Sequence, residues 1–416
     1  MSNRGANKGS CVIEILLRPD ILFTIATFQG LTPYVFWPMG VGRGLNSNNL
    51  NYLPVVIILS GWLSFLAGCA LTWRRISPEP RFAFASREGR IRKLVWFLLI
   101  AGFVQCVLVV RVYGALPILS YLRNDNEIDV VTATVMQQGS AVGQIALLAL
   151  TITVLAGVLL ELVLVAIEKR KRVPLLFYVA LLLDVAMTLI NGKRIGMVRI
   201  VFLLGGGLLL YSRRPLSNVA YIIPLVKRRS SALLAMGLCL FGIYSMAGPI
   251  ASLRNQGRVE QSSSGEVISY QEGPILNMEE QTSKAGLGPG KLNLTLPLVQ
   301  LIPIKLLPQD FGDSYPPRED PSSPSGFYEL IQWGWGLPGV LLFPAFIGAV
   351  CMWLYQNSRR DARYFLCYCQ VTLSLLIAHS FNEFLIAPLV LVPCLCLWMI
   401  GKWTSTKSPV KISVGV

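Results

Sequence analysis

The chain has 416 residues, 53% of them hydrophobic and only 14% charged, with a net charge of +15 and a mean hydropathy of +0.56. Soluble domains carry about 25% charged residues, so about half the usual solubilising charge is missing. A water-soluble enzyme, intrinsic disorder, a secreted disulfide scaffold and a nuclear protein are excluded, and the expected class is an all-α, polytopic integral membrane protein.

In chain order, apolar segments that fill or nearly fill a hydrocarbon slab of about 30 Å lie near Ile21–Pro38, Tyr52–Trp73, Leu94–Val110, Val142–Ala166, Pro174–Ile190, Ile195–Tyr211, Ala232–Pro249, Trp335–Tyr355, Tyr364–Ser380 and Phe384–Ile400. They amount to about ten transmembrane helices. Most of the 37 Lys and Arg gather on alternate sides: at the N-terminus (Arg4, Lys8, Arg18) and in Arg74–Lys93, Glu168–Val173, Ser212–Ser231, Gln356–Arg363 and Gly401–Val416. By the positive-inside rule these segments and both termini are cytoplasmic. Topology then accounts for the positive charge, and no nucleic-acid partner is implied. The N-terminus lacks the charged, apolar, small-residue succession of a cleavable signal peptide.

The organisation expected is residues 1–249 as seven helices with an exterior loop near 112–141, 250–334 as a large exterior loop, and 335–416 as three helices with a cytoplasmic tail. No internal repeat is visible. Within the large loop, Asn293–Pro308 is apolar but carries Pro297, Pro303 and Pro308. Such a segment suits the outer interface better than a full crossing. Eight of the nine Cys fall within predicted spans and the large loop has none. Apolar packing is their expected role, with neither a disulfide framework nor a metal site.

Charge retained at membrane cost marks candidate chemistry. Arg123 follows the turn Tyr113–Pro117, and Asp125, Glu127 and Asp129 come directly after it. Acid-x-acid spacing of this kind can hold a divalent metal, and it is also common in any acidic loop. In the hairpin of the fifth and sixth spans, Asp184 and Arg199 flank the Asn191–Arg194 turn. Both are expected about 10–12 Å below the exterior lip. They read either as an ion pair that sets hairpin register or as an arginine partly turned to an anionic ligand. Lys193 and Arg194 stand at the lip itself, against the positive-inside bias, and Arg254 follows the seventh span. Guanidinium groups on one side of the bilayer suit bidentate phosphate contacts. Further on, Glu329 precedes the run Leu330–Gly336, where the chain re-enters the membrane. The single histidine, His379, shares a helix face with Asn382 and Glu383 if the ninth span continues through them. Glu329, Glu383 and His379 are the candidates for a general base. No phosphate loop, His-Glu-x-x-His or Gly-x-Ser-x-Gly elbow occurs, which removes ATP-driven transport and zinc proteolysis.

This ordered set resembles the bacterial oligosaccharide repeat-unit polymerases, which build O-antigen and capsule. The matching elements are Gly114–Pro117 with Arg123, Gly192-Lys193-Arg194 opening a span, Arg254, Leu301–Pro303 with Pro308, and Ser323–Glu329 leading into Trp333–Gly339. The chain departs from the pattern at Ile304 and Leu306-Leu307, where basic and aromatic residues are expected. The resemblance implies a glycosyltransferase of the bacterial inner membrane, with its active site facing the periplasm and no cofactor or metal. Its partners would be the undecaprenyl-diphosphate-linked glycan donor and acceptor, the lipid bilayer and a polysaccharide chain-length regulator. By the same resemblance Arg194 and Arg254 would grip the donor diphosphate and Glu329 would act as base. Arg123 would orient a lipid-linked substrate, with Lys193, Arg199, His379 and Glu383 as further substrate-binding candidates. An O-antigen ligase and a flippase of lipid-linked oligosaccharides are the alternatives.

Overall fold

The computed structural model describes residues 15–36, 52–73, 88–113, 141–168, 172–190, 195–211, 273–279, 281–282, 327–358, 360–379, 384 and 390–404. Among these residues the structure is helical and contains no strand. The long helices are α1 (Pro19–Phe36), α2 (Tyr52–Thr72), α3 (Glu88–Tyr113), α4 (Ala141–Glu168), α5 (Leu175–Ile190), α6 (Ile195–Tyr211), α7 (Phe327–Asn357), α8 (Ala362–Leu376) and α9 (Leu391–Thr404). A short helical stretch at 273–279 continues at 281–282. Each long helix overlaps one of the apolar segments expected from the sequence; the segment 232–249 lies outside the described residues. By length and apolarity, Tyr52–Thr72, Thr151–Glu168 and Trp335–Asn357 can each cross a membrane. Shorter apolar helices cover Leu175–Met187, Val198–Tyr211 and Leu391–Thr404. The molecule is thus built of apolar helices, as a membrane protein requires.

Local sequence explains where several helices begin and bend. Pro19 opens α1 with Asp20 in its first turn, where a missing N–H costs nothing and a negative charge is favoured. Asp361 caps α8, its carboxylate accepting from the Arg363 backbone N–H at 2.8 Å. In α7 the axis breaks at Gly336, with φ 61° and ψ −155°. Only glycine adopts that conformation readily. Pro338 then falls in the first turn after the break, where proline is tolerated. α9 starts at Leu391, later than the segment Phe384–Ile400 suggested, so that Pro393 also sits in a first turn.

Two helices form the interior. The described part of α4 is buried on all sides from Thr151 to Ala166, and α8 is buried from Phe365 to Leu375. α4 packs against α3, α5, α6 and α9, and α8 against α1, α6, α7 and α9. The most extensive pairing is α2 with α7. Small residues let their backbones meet: a Cβ added at Gly68 would lie 1.9 Å from the Ala345 carbonyl oxygen, and one at Gly348 2.3 Å from that of Phe65. The Cys69 thiol and the Ser64 hydroxyl close the contact by donating to the carbonyls of Gly348 and Leu341. Between apolar helices in lipid, such close approach supplies association that the hydrophobic effect cannot. Outward faces carry large apolar side chains, such as Leu71 at 86% and Leu342 at 72% exposure. Contiguous apolar surface of this kind suits contact with lipid.

The helix ends sort into two sets. One holds the start of α1: Arg18 lies over the Trp73 ring at 4.4 Å, Gln356 donates to the Thr72 carbonyl at 3.2 Å, and the Tyr368 hydroxyl donates to that of Leu17 at 2.5 Å. α3 and α9 meet there, with Arg90 donating to the Trp403 carbonyl at 2.6 Å and Thr404 to Glu161 at 2.8 Å. The other end gathers the last turns of α1, the 273–282 stretch, the first turn of α7 and the residues after α8.

Candidate functional site

The first turn of α7 is the fixed point of this second end. The Phe327 N–H donates to the Ala378 carbonyl at 3.0 Å, tying α7 to the chain leaving α8. Next to it, the buried Tyr328 places its hydroxyl 3.3 Å from Thr27 of α1. Its ring lies over Gly61 of α2, where a Cβ would come within 2.5 Å of Tyr328 Cε1. Phe327 makes edge contacts with Phe23 at 5.4 Å and with Phe384 at 6.0 Å. Held from three sides, the backbone leaves Glu329 little choice of position, and its side chain is 1% exposed.

Glu329 meets the 273–282 stretch. Gln281 Nε2 donates to Glu329 Oε1 at 3.1 Å; because a carboxylate only accepts, the orientation of this amide is set by chemistry. Glu279, two residues earlier and therefore on another helical face, accepts from the Tyr34 hydroxyl of α1 at 3.2 Å. The stretch thus bridges α1 and α7 through two carboxylates. Asn277 is buried with neither amide atom hydrogen-bonded, and Gln281 Oε1 is likewise without a partner.

His379 belongs to the same end. Its imidazole crosses directly over Gly30 of α1, where a Cβ would fall 1.7 Å from Nε2. Gly30 is one helical turn from both Thr27 and Tyr34, so α1 presents a strip that touches Tyr328, His379 and Glu279 in succession. A glycine within an apolar stretch gave no sequence signal for this role. Neither did Asn277 or Gln281, polar residues of a long loop.

Of the residues singled out from the sequence, the fold brings Glu329 and His379 to one end of the bundle. Arg123, Lys193, Arg194, Arg254 and Glu383 lie outside the described residues, as do Asp125, Glu127, Asp129, Asn382 and the segment 293–308. The continuous helix face considered for His379, Asn382 and Glu383 does not form, because α8 ends at Leu376 with Ile377 as its C-cap. The ion pair considered for Asp184 and Arg199 is also absent: both Asp184 carboxylate oxygens are buried without a hydrogen-bond partner. The physical reason is that α5 and α6 each lean on α4 and touch one another only thinly. Arg199, buried in α6, instead lies within electrostatic reach of the Cys394 thiol of α9.

The cysteines pack against backbone. Cys367 donates to the Cys394 carbonyl at 3.1 Å across the α8–α9 contact. Among the described residues, no group of three His, Cys, Asp or Glu could hold a metal ion. No protein-family model, curated protein or solved structure matches this chain.

Chemically, the site offers a buried carboxylate at a defined position, a second carboxylate hydrogen-bonded to a phenol, and amide groups with open hydrogen-bonding capacity. That combination suits a neutral, hydroxyl-bearing molecule whose proton can be drawn towards a carboxylate.

Proposed function

We propose that the protein is a membrane glycosyltransferase that polymerises undecaprenyl-diphosphate-linked oligosaccharide repeat units at the outer face of the bacterial inner membrane. The observation that carries this reading is Glu329: a carboxylate buried at one end of an apolar helical bundle and accepting from Gln281. It precedes the run that resembles the polymerase pattern. In this mechanism the acceptor's hydroxyl gives its proton to Glu329 as its oxygen attacks the donor's anomeric carbon. The bond from that carbon to the diphosphate oxygen breaks, and undecaprenyl diphosphate departs with the electron pair. Arg194 and Arg254, by the resemblance, meet the developing charge with fixed guanidinium groups, and Arg123 orients a lipid-linked substrate.

The deciding experiment is deletion of the gene followed by gel analysis of surface polysaccharide. A single repeat unit per core lipid supports a polymerase. Free lipid-linked polymer points to a ligase, and intermediates trapped on the inner leaflet point to a flippase. Arg194→Ala should abolish polymer while single units still reach the core lipid, and normal ladders would remove this arginine from the mechanism. Arg254→Lys should be poorly tolerated, because an ammonium cannot reproduce bidentate contact. Polymer formation should persist in EDTA; strict dependence on a divalent cation would bring Asp125 and Glu127 back as ligands.

A further inference from the structure

Asn277 lies in the helical piece 273–279 and Gln281, four residues on, in the helical piece 281–282. Both are buried, Gln281 at 0% and Asn277 at 1% exposure. Three of their four amide atoms make no hydrogen bond: Asn277 Nδ2, Asn277 Oδ1 and Gln281 Oε1. The fourth, Gln281 Nε2, is spent on Glu329 at 3.1 Å. Buried amide groups left open are rare, because each forfeits its hydrogen bonds to water, and every such group calls for an explanation. Here Gln281, which carries one of the open atoms, is hydrogen-bonded to the carboxylate proposed as the base.

We infer that Asn277 and Gln281 form a recognition subsite for the hydroxyl groups of a neutral, polyhydroxylated ligand beside Glu329. The chemistry of the open atoms selects that class. Asn277 offers two N–H donors and an acceptor, Gln281 an acceptor, and Glu329 a charged acceptor. An anion such as phosphate would meet Glu329 and two carbonyl oxygens, all repulsive. A metal ion would find a single carboxylate at these amides, and no group of three His, Cys, Asp or Glu that could hold one stands among the described residues. Adjacent hydroxyls, each both donor and acceptor, satisfy the whole set: one accepts from Asn277 while its neighbour donates to Asn277 Oδ1, and a further hydroxyl donates to Gln281 Oε1. A fourth relation is the productive one, since a hydroxyl that displaces Gln281 from Glu329 hands its proton to the carboxylate. Identifying these hydroxyls with the glycan of a lipid-linked substrate rests on the polymerase reading; the assignment of a polyhydroxyl subsite does not.

The test uses full-length protein in lipid nanodiscs and saturation-transfer NMR. The probe is the oligosaccharide mixture released by mild acid from the source cell's total lipid extract. Wild-type protein should bind a component of the mixture, and Asn277→Leu and Gln281→Met should each weaken binding about tenfold or more. Asn277→Leu removes only open amide atoms and should melt at the wild-type temperature or a few degrees above it, whereas Gln281→Met also removes the hydrogen bond to Glu329 and should melt a few degrees lower. Asn277→Thr, which restores one hydroxyl, should bind with intermediate strength and serves if the leucine variant does not fold. Unchanged glycan binding in these variants would overturn the subsite and leave ordered water as the occupant of the amides. Failure of wild-type protein to bind any component would overturn it as well. Binding that depends on Asn277, in a cell whose surface polymer survives deletion of the gene, would uphold the subsite and defeat the polymerase reading.

Discussion

The two ends of the bundle are built from similar residue types and treat them differently. Around the start of α1, polar side chains finish on backbone carbonyls or on each other: Arg90 on Trp403, Gln356 on Thr72, Thr404 on Glu161 and Tyr211 on Glu168 at 2.7 Å. Each bond there closes a helix end, and the charged pair Arg18–Asp20, at 2.6 Å, is largely covered, with side chains 30% and 17% exposed. Around Glu329, polar side chains are drawn from four separate stretches, yet Asn277 and Gln281 Oε1 are left open. At the first end one buried atom, Glu161 Oε2, makes no hydrogen bond, on a carboxylate whose other oxygen accepts from Thr404, and that end has a structural job. An end that buries open amides next to a carboxylate forgoes stability, which is the usual mark of a site kept for function.

That contrast can be broken by mutation, and the largest effect is expected at Glu329. Glu329→Gln keeps the size and the contact with Gln281 but removes the proposed base; if that proposal holds, polymer formation measured with a labelled lipid-linked substrate should fall about 10²–10⁴-fold. Activity within threefold of wild type would return this end to a structural role. Gly30→Ala comes next, since the added methyl collides with the His379 imidazole. Overpacking of this kind costs about 1–3 kcal/mol, and the variant should lose most activity along with several degrees of melting temperature. Gly336→Ala forces a Cβ into a glycine-only conformation at a cost of about 1–3 kcal/mol; activity should drop through misplacement of the first turn of α7, with substrate affinity and turnover both altered. At the other end, Tyr211→Phe removes the hydrogen bond to Glu168, worth about 0.5–1.5 kcal/mol, and Thr404→Val takes a donor from the buried Glu161 carboxylate, at about 1–3 kcal/mol. They should lower the melting temperature slightly and leave activity untouched. Asp184→Asn offers the smallest effect and a sharp reading: replacing a buried carboxyl that has no partner should leave stability equal or slightly raised, measured by thermal unfolding in the same lipid. A clear loss of activity there would place function in the bundle interior as well.

Several features were legible before any coordinates. The apolar segments predict the long helices that overlap them, because a chain in hydrocarbon must satisfy its backbone within each segment. Glu329 stood out as a carboxylate at the foot of an aromatic-glycine run, and it is buried at a helix start. The ion-pair reading of Asp184 and Arg199 fails for a reason no hairpin arithmetic contains: α5 and α6, though adjacent in sequence, pack mainly on other helices and touch one another only thinly. The face shared by His379 and Glu383 failed because α8 stops at Leu376.

Hydrophobic length and periodicity are local properties, so composition by itself determined an all-helical, membrane-suited chain and the approximate place of each helix. Partnership is not local. That Gly30 makes room for His379, that Gly61 makes room for Tyr328, and that a stretch of a long polar loop lays Gln281 on Glu329 depend on residues up to hundreds of positions apart. Only close packing in three dimensions, where a missing Cβ decides whether two groups can meet, selected those neighbours.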